Sequence, residues 1–283
     1  MYLIILLLPT LGACIGYWDF LAKRISLPLS AALYSPDPES CLQDRVGAYS
    51  VEKFMAKVDG GSVSGLIVTI PFLQTVALSF MADISEPTDF NSFKELFFPL
   101  VKWQYEGKVS KFLQQAFKNL WRHGNMKKRF QKILEERGNQ KVLITGHSFG
   151  GALAALVAVD IIKKGLAKKD TVTLITLGQS MVGDKDFAKE YEEEVRDSYR
   201  VVRRGDSIPH VPGREHGYEF NGREVFYERY EMRSDGFTGF KICKPHSDVD
   251  EEGCSGSQTN PVRAIYNDKY FRRNVTEYGL KCK

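Results

Sequence analysis

Residues 141–164 read KVLITGHSFGGALAALVAVDIIKK, and three patterns follow one another in this stretch. The apolar run at residues 141–145 predicts a buried strand. Residues 150–164 predict a helix that is apolar over most of its circumference and therefore lies deep in the fold. Between them, residues 146–150 form the pattern Gly-x-Ser-x-Gly, with Ser148 at its centre. The order of strand, glycine-flanked turn and buried helix predicts a serine that is presented at the turn.

A Gly-x-Ser-x-Gly turn between a strand and a helix is typical of a nucleophile elbow. A hydroxyl is a poor nucleophile at neutral pH, so it needs a base to take its proton and donors to stabilise the oxyanion. The N-terminus of the following helix favours developing negative charge, and the Phe149 backbone N–H is the predicted oxyanion donor. The alternative is a coincidental glycine turn, which the flanking strand and helix argue against. We therefore predict Ser148 as a catalytic nucleophile.

Predicted strands alternate with predicted helices along the chain. The strands are expected at residues 64–70, 75–80, 141–145, 171–177 and 198–203, and the helices at 106–121, 150–164 and 184–195. This alternation predicts a mainly parallel sheet with helices on both faces. Together with the elbow, it indicates an α/β protein with the α/β-hydrolase fold. Asn221-Gly222 additionally predicts a hairpin with a type I′ turn.

A carboxylate that follows one of these strands is a candidate acid partner for Ser148. In this fold the catalytic residues occur in the order serine, acid, histidine. Asp206 stands three residues beyond the predicted strand 198–203, where its side chain would reach the edge of the sheet that carries the elbow. The alternative is an ordinary turn aspartate in Gly205-Asp206-Ser207. The position predicts Asp206 as the triad acid.

The N-terminus has the layout of a secretory signal peptide. Residues 2–11 are almost wholly apolar and small residues follow them, so we expect residues 1–16 to be removed and residues 17–283 to form a single domain. A membrane anchor and a bacterial lipobox are the alternatives. The apolar run is too short to cross a bilayer comfortably, so no stable membrane span is expected. The predicted location is extracellular.

Four cysteines remain after such a cleavage: Cys41, Cys243, Cys254 and Cys282. An even number in an exported chain predicts two disulfides, for which the sequence permits three pairings. Cys243 and Cys254 are close enough in sequence to close a local loop, which would leave Cys41 to pair with Cys282. Asn274 begins an Asn-x-Thr sequon, which predicts N-glycosylation in an exported protein.

The charge pattern does not predict a surface that binds nucleic acid. The 283 residues carry a net charge of +4, and the basic residues occur as scattered pairs without a long basic block. The acidic residues at 248–252 are interpreted as an exposed loop because they lack a complete ligand pattern. No metal and no organic cofactor is expected.

Three segments resemble the class 3 (fungal-type) lipase family. Residues 145–154 resemble its nucleophile segment, residues 177–184 its next strand and loop, and residues 201–212 its acid segment. The likeness extends particularly to secreted, disulfide-bonded nematode members. It implies a lipase or carboxylic ester hydrolase that acts on lipid or ester substrates at a lipid–water interface through a serine acyl-enzyme. It also implies that Ser148 is the nucleophile and Asp206 the acid, with His210 a structural neighbour.

Two segments depart from the family pattern. Met81-Ala82-Asp83 stands where the family has Arg-Gly-Thr or Arg-Gly-Ser, and an anionic Asp83 there would repel an oxyanion. Asn267 stands where the family has its catalytic histidine. His246, between Cys243 and Cys254, is the remaining candidate base. Three interpretations stay open: an active lipase with a base elsewhere, a catalytically inactive secreted pseudolipase that binds lipid or a partner, and a gene whose exons are misjoined.

Overall fold

The computed structural model describes residues 16–84, 90–138, 140–228, 232–233, 239–243, 253–257 and 268–282. Most of the predicted signal peptide lies outside these ranges. No helix among the described residues is long and apolar enough to cross a membrane.

The strands of the described chain form one large sheet and two small ribbons. Their bounds are β1 Ser50–Val58, β2 Gly61–Ile70, β3 Thr75–Asp83, β4 Leu100–Lys102, β5 Lys108–Ser110, β6 Lys141–His147, β7 Val172–Leu177, β8 Asp197–Arg203, β9 Arg223–Tyr227, β10 Lys241–Cys243, β11 Lys269–Tyr270 and β12 Arg273–Asn274. The large sheet has the order β1-β2-β3-β6-β7-β8-β9-β10. Its central strands β3, β6, β7, β8 and β9 are parallel, and its two edges are antiparallel.

The helices cover both faces of the sheet. Their bounds are α1 Asp19–Leu21, α2 Leu27–Ala32, α3 Pro38–Val46, α4 Phe90–Phe97, α5 Lys111–Ala116, α6 Met126–Arg137, α7 Phe149–Lys163, α8 Lys185–Glu194 and α9 Val275–Lys281. A π-helical turn, Ala22–Ser26, joins α1 to α2, and a second, Phe117–Arg122, continues α5. Helices α4 to α8 contribute to one hydrophobic core, and α2, α3 and α9 contribute to the other.

Side chains that alternate between the two faces of the strands form these two cores. In β3, Val76, Leu78 and Phe80 face the first core, whereas Ala77 faces the second. Because both faces are buried, the central strands read as continuous apolar runs, which is why the sequence predicted them correctly. The predicted mainly parallel sheet with helices on both faces is confirmed, whereas β2 and β3 pair antiparallel.

The helix predicted over residues 106–121 begins later than expected. Lys108–Ser110 forms β5, which pairs with β4, and α5 begins at Lys111. Ser110 is the reason for the boundary, because its side chain accepts a hydrogen bond from the Leu113 backbone N–H at 3.5 Å. A serine in that position caps a helix and ends the extended segment before it.

The hairpin predicted at Asn221-Gly222 is wrong. A type I′ turn needs a positive φ at both central residues, and here Gly222 has a φ of 74° while Asn221 does not lie in that region. Asn221 is instead buried, and its carbonyl accepts a hydrogen bond from Arg200 Nε at 2.7 Å. The dipeptide leads into β9, which runs parallel to β8.

Two disulfides link the cysteines in the pairing that was favoured. Cys41, in α3, is bonded to Cys282, just after α9, across a sequence separation of 241 residues. Cys243 and Cys254 are bonded across a separation of 11 residues. The first bridge therefore joins the two ends of the described chain, whereas the second closes a local loop.

Helix α7 carries a buried carboxylate whose hydrogen bonds are satisfied. Asp160 is 1% exposed and accepts hydrogen bonds from Trp121 Nε1 at 2.9 Å, Lys127 Nζ at 2.7 Å and Tyr105 Oη at 2.8 Å. Burial alone would raise the pKa of Asp160, but the hydrogen bonds from Lys127 and Trp121 hold it below its ordinary value. The Asp160 carboxylate thus links α7 to the residues that donate hydrogen bonds to it.

Gly279 allows α9 to pack closely on α2, and its replacement by alanine is expected to destabilise the fold. A Cβ at this position would overlap the Ala31 carbonyl oxygen. Overpacking of this kind lowers the free energy of unfolding by about 1–3 kcal/mol. Denaturant unfolding of Gly279→Ala and of Gly239→Ala, whose new methyl group would meet open space, measures the difference. Equal stability of the two variants would refute the close approach.

Candidate active site

Ser148 lies at a strained turn between β6 and α7. Its backbone has φ 59° and ψ −128°, a region that residues with a side chain rarely adopt. Gly150 is required beside it, because a Cβ there would overlap the Phe80 carbonyl oxygen of β3. The Ser148 side chain is half-buried. The turn therefore has the conformation that a nucleophile elbow requires.

Aromatic rings of α4 cover the residue after Ser148. The Phe149 ring lies 4.6 Å from that of Phe97 and 5.6 Å from that of Phe93, measured between centroids. The Phe97 carbonyl accepts hydrogen bonds from Ser110 Oγ at 2.7 Å and from Tyr218 Oη at 3.1 Å, which fixes the end of α4. The elbow thus lies beneath a helix whose apolar side faces it.

The Phe149 backbone amide occupies the first position of α7. The first amides of a helix have no acceptor within the helix, so this N–H is available to an oxyanion formed beside Ser148. This arrangement is compatible with the predicted role of Phe149.

Asp206 is buried at the same edge of the sheet. His147, at the end of β6, pairs with Leu177 of β7, and Leu177 pairs with Val201 of β8, so the three strands end together. Asp206 follows β8 and is 2% exposed. Its position agrees with the one predicted from the sequence.

Two donors orient the Asp206 carboxylate. Tyr270 Oη donates to Asp206 Oδ2 at 2.6 Å, and the Ile208 backbone N–H donates to Oδ1 at 3.0 Å. Burial and the charge of Asp206 raise the pKa of Tyr270 well above its ordinary value, so the phenol keeps its proton and remains a donor. No sequence signal predicted this role of Tyr270, which lies 64 residues after Asp206.

A second tyrosine lies beneath the elbow. Tyr34 Oη lies 3.3 Å from His147 Nδ1. Burial raises the pKa of Tyr34 to about 12, and the Asp268 and Asp83 carboxylates raise it as well. Asp83 thus lies close enough to the site for its charge to act on Tyr34. No sequence signal identified Tyr34, because it lies in the turn after α2 and precedes the first strand of the sheet.

The four histidines within the described ranges occupy other environments. His147 contacts Tyr34 and lies 6.0 Å from the Tyr270 ring, and His216 packs on Phe98 at 4.7 Å. His123 is exposed at the end of the second π-helical turn. None of the four hydrogen-bonds the Ser148 hydroxyl in the described part of the chain. His246 and Asn267 lie outside the described residues.

His210 is expected to make stability depend on pH. Its ring packs edge-on against Phe220, and burial lowers its pKa below the ordinary 6.5, while Glu224 opposes the shift and Arg200 adds to it. The unfolded chain then binds the proton at a higher pH than the folded chain does. The free energy of unfolding should therefore decrease as the pH falls below about 6.5.

Denaturant unfolding at pH about 8 and about 5.5 tests this dependence. In His210→Gln the decrease should be smaller than in the unsubstituted protein. His123→Gln, which removes an exposed histidine, should leave it unchanged. A decrease of the same size in all three proteins would contradict the assignment to His210.

One group of potential metal ligands occurs among the described residues, but its chemistry does not suit a metal. Glu224, Cys243 and Cys254 lie within 4.8 Å of one another. The two sulfur atoms form a disulfide, and the Glu224 carboxylate accepts hydrogen bonds from the Ser255 backbone N–H and hydroxyl at 2.8 and 2.6 Å. The acidic run at residues 248–252 lies outside the described ranges.

Comparison with known proteins identifies the fold and the family of this chain. The family model for Lipase (class 3) matches residues 78–216, which include the elbow, Asp206 and the part of β3 from residue 78 onward. A lipase from Caenorhabditis elegans is 30% identical over 201 residues, which are 67% of this chain and 54% of that protein. The chain belongs to the class 3 lipase family. A lipase from Rhizomucor miehei is 34% identical over 137 residues, which are 48% of this chain and 36% of the relative.

Solved structures of class 3 lipases share the fold. The Rhizomucor miehei triacylglyceride lipase superimposes with a TM-score of 0.76 at 21% identity, covering 93% of this chain and 96% of that one. Lipase II from Rhizopus niveus superimposes with a TM-score of 0.71 at 20% identity, covering 90% and 94% of the two chains. The α/β-hydrolase fold is thereby confirmed. The chain spans about half the length of its nematode relative and about a third of the length of the fungal lipases that it matches by sequence.

Proposed function

We propose that this class 3 lipase-family chain hydrolyses carboxylic esters of lipids through a serine acyl-enzyme. The observation that carries the proposal is the strained conformation of Ser148, with its φ of 59°, at the sheet edge where Asp206 is also buried. A non-glycine residue holds such a conformation when the surrounding structure imposes it, and functional sites are where this happens. Family membership supports the same activity.

In the proposed reaction, the Ser148 hydroxyl adds to the ester carbonyl carbon while a base takes its proton. The Phe149 N–H stabilises the oxyanion of the tetrahedral intermediate. The alcohol leaves with the proton, and a water molecule, deprotonated by the same base, then releases the acid from Ser148. Asp206 orients the base, and Tyr270 and the Ile208 N–H keep Asp206 in place.

We propose His246 as the base, because none of the four histidines in the described part of the chain hydrogen-bonds the Ser148 hydroxyl. Its test compares His246→Ala with His123→Ala, the exposed matched control. We expect ester turnover to fall by several orders of magnitude in the first variant and to stay unchanged in the second. Equal turnover of His246→Ala and the unsubstituted protein would exclude His246.

The residues at two family positions support a second candidate, a secreted pseudolipase. Asn267 stands three residues before Tyr270, where the family has its histidine, and Asp83 stands in the segment where the family has Arg-Gly-Thr or Arg-Gly-Ser. Introducing the family histidine by Asn267→His separates the two proposals. An inactive protein that gains turnover through this substitution would be a pseudolipase, whereas turnover before the substitution supports the enzyme.

The position of helix α4 indicates the physical form in which the proposed substrate is presented. It places Phe93 and Phe97 over the elbow while Asn91, Lys94 and Glu95 are exposed. Displacing α4 would open the elbow and expose apolar rings that a lipid surface would cover. We therefore propose that the protein acts at a lipid–water interface. We also propose, from the sequence, that it is exported after removal of residues 1–16 and carries a glycan on Asn274.

The experiment for this proposal compares a short-chain ester below its solubility limit with an emulsified triglyceride. We expect the purified protein to hydrolyse both, with a steep rise in rate once an interface is present. Hydrolysis of neither substrate would contradict the enzymatic proposal. A rate proportional to substrate concentration across the solubility limit would contradict the interfacial part alone.

A further inference from the structure

A basic pocket lies away from the elbow, where the N-terminal helical segment, α3 and the C-terminal turn and helix meet. It encloses about 230 Å³, and its lining includes Lys23, Arg24, Arg45 and Arg273. Among the described residues that line it, none carries a carboxylate side chain. Asp19 neutralises one cation, since its carboxylate lies 2.6 Å from Lys23 Nζ. The described lining therefore brings together four basic side chains that the reaction proposed above does not use.

Two of these cations contact the same aromatic ring. The Arg45 guanidinium lies 3.9 Å from the centroid of the Tyr278 ring, and the Arg273 guanidinium lies 4.8 Å from the same centroid. Both guanidinium groups contact one ring, so they lie within about one Debye length of each other and repel. An anion between the cations would replace this repulsion with attraction.

The walls of the pocket are fixed before any ligand arrives. The disulfide between Cys41 and Cys282 ties α3, which carries Arg45, to the end of α9, which carries Tyr278. Gly279 brings α9 into close contact with α2. The disulfide and the close helix contact thus fix the backbone that carries Arg45 and Tyr278, which lowers part of the ordering cost of binding a ligand.

The charge and size of the pocket define the ligand. Arginine guanidinium groups bind phosphate oxygens through paired N–H donors, and several of them suit a dianion. A volume of about 230 Å³ lies below the roughly 300–1,000 Å³ of pockets for drug-sized molecules, and it suits a phosphoryl group with a short substituent. We propose that this basic pocket binds a phosphate monoester group, carried by a soluble metabolite or by a lipid headgroup.

Titration calorimetry with glycerol 3-phosphate and with inorganic phosphate, at constant ionic strength, tests the proposal. We expect saturable binding that is about tenfold weaker or more in Arg24→Gln/Arg273→Gln, because two charged hydrogen-bond donors are removed. Arg196→Gln/Arg272→Gln makes the same change in charge at exposed arginines that do not line the pocket, and it should bind as the unsubstituted protein does.

Vesicles of phosphatidylcholine with and without phosphatidic acid distinguish the two sources of the phosphate group. Binding that requires phosphatidic acid and the pocket arginines would assign a lipid headgroup, and binding of glycerol 3-phosphate alone would assign a soluble ligand. Absence of saturable binding to either form, or equal affinity of the two double variants, would overturn the proposal. Ser148→Ala should bind as well as the unsubstituted protein, so failure of the proposed catalysis leaves this test intact.

Discussion

Replacing Ser148 by alanine is expected to lower ester turnover by about 10⁴–10⁶-fold, which is the size of effect seen when a serine nucleophile is removed. Removing the hydroxyl should leave the fold intact, because the side chain of Ser148 makes no capping hydrogen bond to α7. Circular dichroism and denaturant unfolding should therefore be unchanged. Initial rates with a soluble ester, measured for both proteins at the same concentration, give the ratio.

Ser40→Ala is the matched control, because it removes an exposed serine hydroxyl on the surface of α3. It should retain full turnover. Asp206→Asn should lose about 10⁴-fold, because an amide cannot stabilise the protonated base. Turnover of Ser148→Ala that equals that of Ser40→Ala would show that the hydrolysis arises from another residue or from a contaminant.

Removing the Cys41–Cys282 disulfide is expected to lower the free energy of unfolding by about 5 kcal/mol, against about 3 kcal/mol for Cys243–Cys254. The reason is the length of chain that each bridge closes, 241 residues against 11 residues. A bridge across a longer loop removes more conformational entropy from the unfolded chain. The paired alanine variants, Cys41→Ala/Cys282→Ala and Cys243→Ala/Cys254→Ala, provide the comparison in denaturant unfolding.

These two double variants serve as controls for each other, because both remove one bridge and two sulfur atoms. The larger loss is expected in the variant that frees α3 from α9. A greater loss from the Cys243–Cys254 pair would mean that local packing, and not chain entropy, determines how much each bridge contributes.

The sequence predicted those parts of the fold in which local pattern and tertiary environment agree. The run before Ser148 is apolar because β6 is buried on both faces, and the helix after it is apolar because α7 lies between the sheet and other helices. The hairpin at Asn221-Gly222 failed for the opposite reason. Buried partners of Asn221, including Arg200, determine its conformation, and no local pattern reveals them.

The site was predictable where a motif fixes geometry and unpredictable where distant segments converge. Ser148 and Asp206 were predicted as site residues from a turn pattern and from a position after a strand, and their catalytic roles stay predictions. Tyr34 and Tyr270 reach the site from opposite ends of the chain, so their contacts with His147 and Asp206 have no sequence signal. The basic pocket was missed for the same reason, because three separate segments supply its cations as pairs or single residues.

Labelling with a fluorophosphonate, followed by peptide mapping, tests the central claim that Ser148 is an activated nucleophile. The reagent forms a covalent bond only with a serine whose hydroxyl is activated, so it reports on the elbow and on the base together. We expect one modified peptide, the one that contains Ser148, and no modification of Ser148→Ala. An unmodified protein after prolonged exposure, in a sample that unfolds cooperatively, would contradict the account.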